Sequence, residues 1–279
     1  MTMKRMRKKA EVLCIYLFMT LMAILSIGPF IYVVLTALKT QEQIYDPGQI
    51  IPTYISFENF SKVLFHSNFS RYFINSFLVA AITTGICVLL SVMASYALSR
   101  YEIIGADKIK MVILMTRMFP GVLLCIPFYI IMKQLELIDT YTGLIMLYCS
   151  FTLPFAIWRT NALFSGIPWE LEEAARIDGC SRLSAFLQVI IPVARPGLFV
   201  NMLFCFMSAW EEYMYASIFI NTPLKKTIQV GMKDFVGQYT IEWGLLMSAV
   251  TLSLIPVILF FAVVQKNLVG GLTEGSVKG

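Results

Sequence analysis

The stretch "ELEEAARIDGC" sets Glu170, Glu172, Glu173 and Asp178 within nine residues of a chain in which only 14% of residues are charged. Carboxylates at that density can hold a metal, exchange protons with a substrate, or face a basic surface on another protein. The first two chemistries need companions that this sequence does not supply. The single histidine, His66, stands far upstream, and none of the six cysteines has zinc-site spacing. No Gly-rich phosphate loop and no nucleophile elbow is present. Docking on a protein partner is the chemistry that remains. A second polar set interrupts "LFVNMLFCFMSAWEEYMYASIFI". At 100° per residue, Asn201, Cys205, Ser208, Glu212 and Tyr215 stay within about 40° of one line, while Glu211 falls about 100° off it. Arg117 breaks another apolar run. Such residues suit contact with a polar solute.

The elements that must position both sets are membrane spans. Hydrophobic residues fill 58% of the 279 positions, against roughly 45–50% in soluble domains. Six apolar runs, 12–38, 72–98, 111–132, 143–163, 198–220 and 245–264, are long enough to cross a hydrocarbon core of about 30 Å as helices. The fourth carries Arg159 and Asn161 near its end. The alternating ten-residue strands of an outer-membrane barrel are absent. The expected fold is therefore all-α, a polytopic membrane protein of six transmembrane helices with a polar cytoplasmic helix between spans four and five. With the N-terminus inside, fourteen Lys and Arg fall in cytoplasmic segments and seven outside, which puts both termini in the cytoplasm. The net charge of +5 follows from that bias and does not argue for nucleic acid. The first apolar run exceeds the 7–15 residues of a cleaved signal. Cys14, Cys87, Cys125, Cys149 and Cys205 lie within spans and read as small packing residues.

The acidic segment carries its own start and stop. Pro168 suits a first helical turn, Glu170, Glu172 and Glu173 crowd the positive end of the dipole, and Gly179 can take the left-handed conformation that closes a helix. Leu171, Ala174, Ala175 and Asp178 are expected on one side, a face with small residues that a partner can approach closely. A helix lying on lipid would favour Lys and Arg on its polar side. The acids here favour a protein partner.

The segment "EAARIDGCSRLSAFLQVIIP" resembles the EAA loop of permease subunits in bacterial ATP-binding-cassette (ABC) importers, through Glu173, Ala174, Ala175, Gly179, Val189, Ile191 and Pro192. Asp178, Phe186 and Pro196 resemble its carbohydrate-uptake branch, with Cys180 where that branch usually has Ala. "MFPGVLLCIPFYIIMKQLELIDT", "TIQVGMKDFVGQYTIEWGLLMSA" and "GLTEGSVKG" resemble that branch's third span, last outside loop and tail. The tail is similar to that of MalG-like subunits. The resemblance implies a non-catalytic sugar permease in a bacterial cytoplasmic membrane. Residues 1–11 would be a cytoplasmic N-terminus, 12–265 the transmembrane domain with its EAA loop at about 164–197, and 266–279 a cytoplasmic tail. Implied partners are a second permease subunit, two copies of an ABC ATPase that bind the ATP and Mg, an extracellular solute-binding protein, and the sugar; no cofactor is expected in this chain. Glu172, Glu173, Ala174, Ala175, Asp178 and Gly179 would couple to the ATPase, and Thr273, Gly275, Val277 and Lys278 of the tail would touch it.

The polar stripe, Asn201, Ser208, Glu212 and Tyr215, then reads as a substrate path or as packing between spans. Glu212 matches the Glu of the family's Trp-Asn-Glu-aromatic pattern, and Glu211 replaces its Asn. Arg117 is expected about 12 Å from Glu212 in depth along straight helices, too far for direct contact. It would snorkel inward or line the exit, where an anionic sugar would suit it. An ion-gradient-driven transporter or channel is the competing class; such folds often show internal repeats, and none is evident.

Overall fold

The computed structural model describes the backbone of residues 2–46 and 48–275, and the side chains of 11–46 and 48–265. The helices run in the order α1 (Thr2–Ala37), α2 (Gln41–Tyr45), α3 (Glu58–Phe65), α4 (Phe69–Arg100), α5 (Ala106–Met115), α6 (Gly121–Gln134), α7 (Tyr141–Ser165), α8 (Trp169–Ile177), α9 (Arg182–Ala185), α10 (Ile191–Trp210), α11 (Met214–Phe219), α12 (Ile228–Gly231) and α13 (Trp243–Gly275). Among the described residues no strand forms beyond an isolated bridge between Val236 and Ile241.

Five apolar runs appear as long apolar helices, and the third does not. Ala106–Met118 and Gly121–Gln134 are bent by 96° at the break between them, which corrects the single helix expected over 111–132. Phe119 is extended, with φ −75° and ψ 123°, as the residue before a proline prefers, and Pro120 has no N–H to continue the ladder. Proline permits this break without forcing it, because Pro127, Pro154, Pro196 and Pro256 lie inside helices that continue. The apolar surface these helices leave exposed is what a bilayer requires, since their backbone groups are satisfied within each helix.

The chain divides into two compact units, 1–70 with 232–254, and 71–231 with 255–279. In the first, the Asn59 amide donates to the carbonyls of Ala37 and Lys39 at 3.1 and 2.7 Å, satisfying the C-terminal end of α1 that a helix leaves open. Tyr45 reaches the Ile241 carbonyl there.

In the second unit α7 lies along α10. Val92, Phe164, Ile167, Ile190, Ala194 and Leu198 form one buried cluster, against which Tyr96 and Phe186 pack. Beside it the Asn201 amide, 2% exposed, donates to the Thr160 hydroxyl at 2.9 Å and approaches Ser91 and the Ala156 carbonyl at 3.4 Å. That polar knot ties α4, α7 and α10 together. Outside the spans, Asp139 accepts from the N–H groups of Asn221 and Thr222, the Thr222 hydroxyl and Lys225. It pins the α6–α7 turn to the segment after α11.

Candidate functional site

Helix α8 has two faces of different character. Pro168 stands one position ahead of it with φ −54° and ψ 137°, and Glu170 and Glu172 occupy the first turn. The end is closed by Gly179, with φ +92°. Its N–H donates to Arg176 at 3.1 Å, and that of Cys180 to Ala175 at 3.0 Å. A Cβ at Gly179 would meet nothing within 4 Å, so the glycine is needed for its conformation and not for space.

The inward face belongs to Glu172 and Ala175. One Glu172 oxygen accepts from the Tyr96 hydroxyl at 2.7 Å, and the other lies 3.5 Å from Arg100 Nε, both side chains being 5% exposed. Arg100 also donates to the Ile167 carbonyl at 2.9 Å and lies 5.3 Å over the Trp169 ring. Tyr96 in turn packs against Phe186, 4.4 Å between centroids. Thus α8 is bolted to the end of α4 by a buried acid. Glu172 and Ala175, two of the residues expected to couple to the ATPase, thus have side chains covered by the chain itself. Glu170, Leu171, Glu173, Ala174, Arg176, Ile177 and Asp178 remain exposed. The outward surface therefore combines apolar residues with three acids, Glu170, Glu173 and Asp178, and one base, Arg176, and it rides on an anchored helix.

The second candidate is a cavity of about 520 Å³ lined by Arg117, Phe119, Phe128, Phe151, Glu212 and Tyr215, among others. The break at Pro120 is what brings Arg117 there. Arg117 and Glu212 line one space without forming an ion pair among the described residues. Arg117 Nη1 donates to the Phe151 carbonyl at 2.6 Å, and Tyr215 stacks on Phe151, 5.5 Å between centroids and 11° between planes.

Helical phase fails as a guide through this region. Residues 211–213 leave the helix between α10 and α11, and Glu212 accepts from the backbone N–H groups of Tyr215 and Ala216 at 2.7 and 3.1 Å. It caps α11 while bordering the cavity. Tyr215 is buried and donates to the Gly121 carbonyl at 3.1 Å. Ser208 is partly exposed and its hydroxyl turns back to the Phe204 carbonyl. Asn201 is buried in the knot described above, so the stripe splits into packing residues (Asn201, Cys205) and residues that line the cavity (Glu212, Tyr215).

Sequence reasoning missed Tyr96 and Arg100, although a Tyr and an Arg four apart at the end of a span are a readable helix-face pair. It also missed the rings of Phe128 and Phe151, which no polar pattern marks. Arg159, noted only as a weakness of the fourth span, lies with its guanidinium between Phe155 and Phe204, at 4.2 and 4.1 Å from their centroids. Thr273 and Gly275 fall where only the backbone is described, within α13, and Val277 and Lys278 lie outside the described residues.

Several long apolar helices, a cavity bordered by Arg117, Glu212 and aromatic rings, and an anchored surface helix fit a membrane transport protein. The chain belongs to the family of binding-protein-dependent transport system inner membrane components, which it matches over residues 90–273. It is 35% identical to the trehalose transport system permease protein SugB of Mycobacterium tuberculosis, over 93% of this chain and 95% of that one. It is 33% identical to the trehalose/maltose transport system permease protein MalG of Thermococcus litoralis, over 93% and 94%, and 32% identical to the sulfoquinovosyl glycerol transport system permease protein SmoH of Agrobacterium fabrum, over 90% and 88%. Its fold matches a chain in the crystal structure of a bacterial ABC transporter involved in import of the acidic polysaccharide alginate, with a TM-score of 0.81 at 24% identity, over 93% of this chain and 97% of that one.

Proposed function

We propose that the chain is a permease subunit of an ATP-driven importer for a sugar or oligosaccharide. It forms half of the translocation path with a second permease subunit and takes its power stroke from two copies of an ABC ATPase through α8. An extracellular binding protein delivers the solute. Both termini face the cytoplasm, and the C-terminal tail, with Thr273 and Gly275 at the end of α13 and Val277 and Lys278 after it, reaches the ATPase pair. The observation that carries the reading is the division of α8 into an anchored face and a free face. A docking helix must transmit displacement, and one fixed by a buried acid moves α4 with it instead of hinging. Such a rigid-body switch draws its energy from the partner. The cavity supports the same reading, because stacked rings suit the C–H faces of a pyranose and the flanking Arg117 and Glu212 suit its hydroxyls.

The test reverses charge on the free face. Glu173→Lys should lose ATPase subunit from complexes purified on a tag carried by this chain, since removing one member of an interfacial charge pair costs about 2–5 kcal/mol. Glu170→Lys, about 60° around the helix and nearer its free end, should be milder. Membrane levels of both should match the wild type, because insertion depends on the spans. Full retention of ATPase by Glu173→Lys would remove the docking role from that residue.

A further inference from the structure

Two guanidinium groups share one phenylalanine ring. Arg117 Cζ lies 5.6 Å and Arg159 Cζ 4.2 Å from the centroid of Phe155, and Arg159 lies 4.1 Å from that of Phe204. Phe151, Phe155 and Arg159 follow one another at four-residue spacing on α7, so they occupy one face of that helix. The track begins in the cavity, where Arg117 is held by the Phe151 carbonyl, and rises about 12 Å over the eight residues from Phe151 to Arg159.

Along this track neither guanidinium meets a carboxylate directly among the described residues. Nε and Nη1 of Arg159 are buried and meet no hydrogen-bond acceptor among the described residues, although the residue as a whole keeps some exposed surface. The acid bordering the cavity, Glu212, accepts from the N–H groups of Tyr215 and Ala216 and not from either arginine. Ring faces attract a guanidinium, but they satisfy no N–H. Two like charges on one ring also repel. Intramembrane cations in this state mark a path for an ion of opposite sign.

We propose that Arg117 and Arg159 are successive stations for an anionic saccharide, one that carries a carboxylate, sulfonate or phosphate. The acid group passes from the Arg117 fork, which lines the cavity, toward the guanidinium of Arg159, whose Nε and Nη1 are covered between Phe155 and Phe204 and become donors to it when those rings part. The inference rests on the reading of the cavity as part of a sugar path, and it narrows the solute to a charge class.

The test uses the whole importer, purified on a tag carried by this chain and placed in nanodiscs of phosphatidylcholine alone, so that no anionic headgroup can occupy the arginines. The probes are trigalacturonate and glucose 6-phosphate, each set against its neutral counterpart, galactotriose or glucose, with thermal stabilisation of the complex as the readout. At least one anionic probe should half-saturate at a concentration tenfold or more below its neutral counterpart. Arg159→Gln should reduce that preference at least tenfold, and Arg159→Lys should restore most of it. If neutral probes stabilise the complex as well as anionic ones, the sugar path stands and the anion stations fall. If no saccharide stabilises it, both fall. If only added phosphatidylglycerol stabilises the wild type and Arg159→Gln abolishes that response, the anion is a lipid headgroup and the saccharide relay is overturned. The wild-type comparison decides the matter even where a variant fails to assemble.

Discussion

Replacing Glu172 with alanine should unfasten α8 from α4 while leaving its outward face untouched. Glu172 and Arg100 are both 5% exposed, 3.5 Å apart at their charged atoms, and the carboxylate also accepts from Tyr96 at 2.7 Å. Breaking a buried pair from one side costs about 3–5 kcal/mol, because the surviving charge stays buried. Arg100 keeps the Ile167 carbonyl and the Trp169 ring, which places the cost near the low end, about 3 kcal/mol. At about 1.4 kcal/mol per decade this is roughly a hundredfold rise in local opening. Hydrogen exchange of the α8 amides in the purified protein reads that quantity directly. Tyr96→Phe removes one hydrogen bond to a charged acceptor, worth about 1.5–3 kcal/mol, and should raise exchange by a decade or two. Glu173→Ala should leave α8 exchange within about twofold of wild type, since its side chain is exposed, and surface substitutions usually stay within about 0.5 kcal/mol. Exchange in Glu172→Ala within about threefold of wild type would show that the buried acid does not anchor the helix.

Glu212→Ala should destabilise the purified protein by about 0.5–2 kcal/mol through loss of the α11 cap, seen as a lower melting temperature. Glu212→Gln, which keeps one oxygen acceptor, should be milder and Glu211→Gln neutral. Gly179→Ala should cost about 1–2 kcal/mol from backbone strain alone, raising hydrogen exchange at the end of α8, with Gly179→Asn closer to wild type. At Asp139, burial pushes the carboxyl up. The Thr222 hydroxyl, the N–H groups of Thr222 and Asn221, and Lys225 outweigh it and hold the group well below the usual carboxylate range. Its contribution to stability is therefore complete above the unfolded value of about 3.9 and is lost as pH falls below that toward the lower folded value. Melting temperature followed below about pH 4 should lose a step in Asp139→Asn.

Hydropathy alone located the spans, because six apolar stretches separated by charged segments admit few other arrangements. It could not settle span three. Pro120 and Pro127 look alike in sequence, yet the chain breaks at the first, where Tyr215 holds the Gly121 carbonyl, and runs on through the second. Span five misled for a related reason: nothing in "AWEEYMY" announces a helix end, and one non-helical turn cancels any phase carried across it. The stripe could not show that Glu212 borders a cavity while Asn201 is buried against Thr160, because a polar residue facing the bundle interior reads the same in either setting. In α8 the ends were legible from Pro168, the clustered acids and Gly179. Which acid points inward depended on Tyr96 and Arg100, distant in sequence, and only their contact separates Glu172 from Glu173.

The most direct test of the account is ATP-dependent uptake by the importer purified on this chain and sealed in liposomes with its binding protein. Accumulation of a labelled saccharide should require ATP inside, stop when the binding protein is omitted, and continue when ionophores collapse every ion gradient. Uptake that proceeds without ATP and vanishes with the ionophores would contradict an ATP-driven importer and restore the gradient-driven alternative.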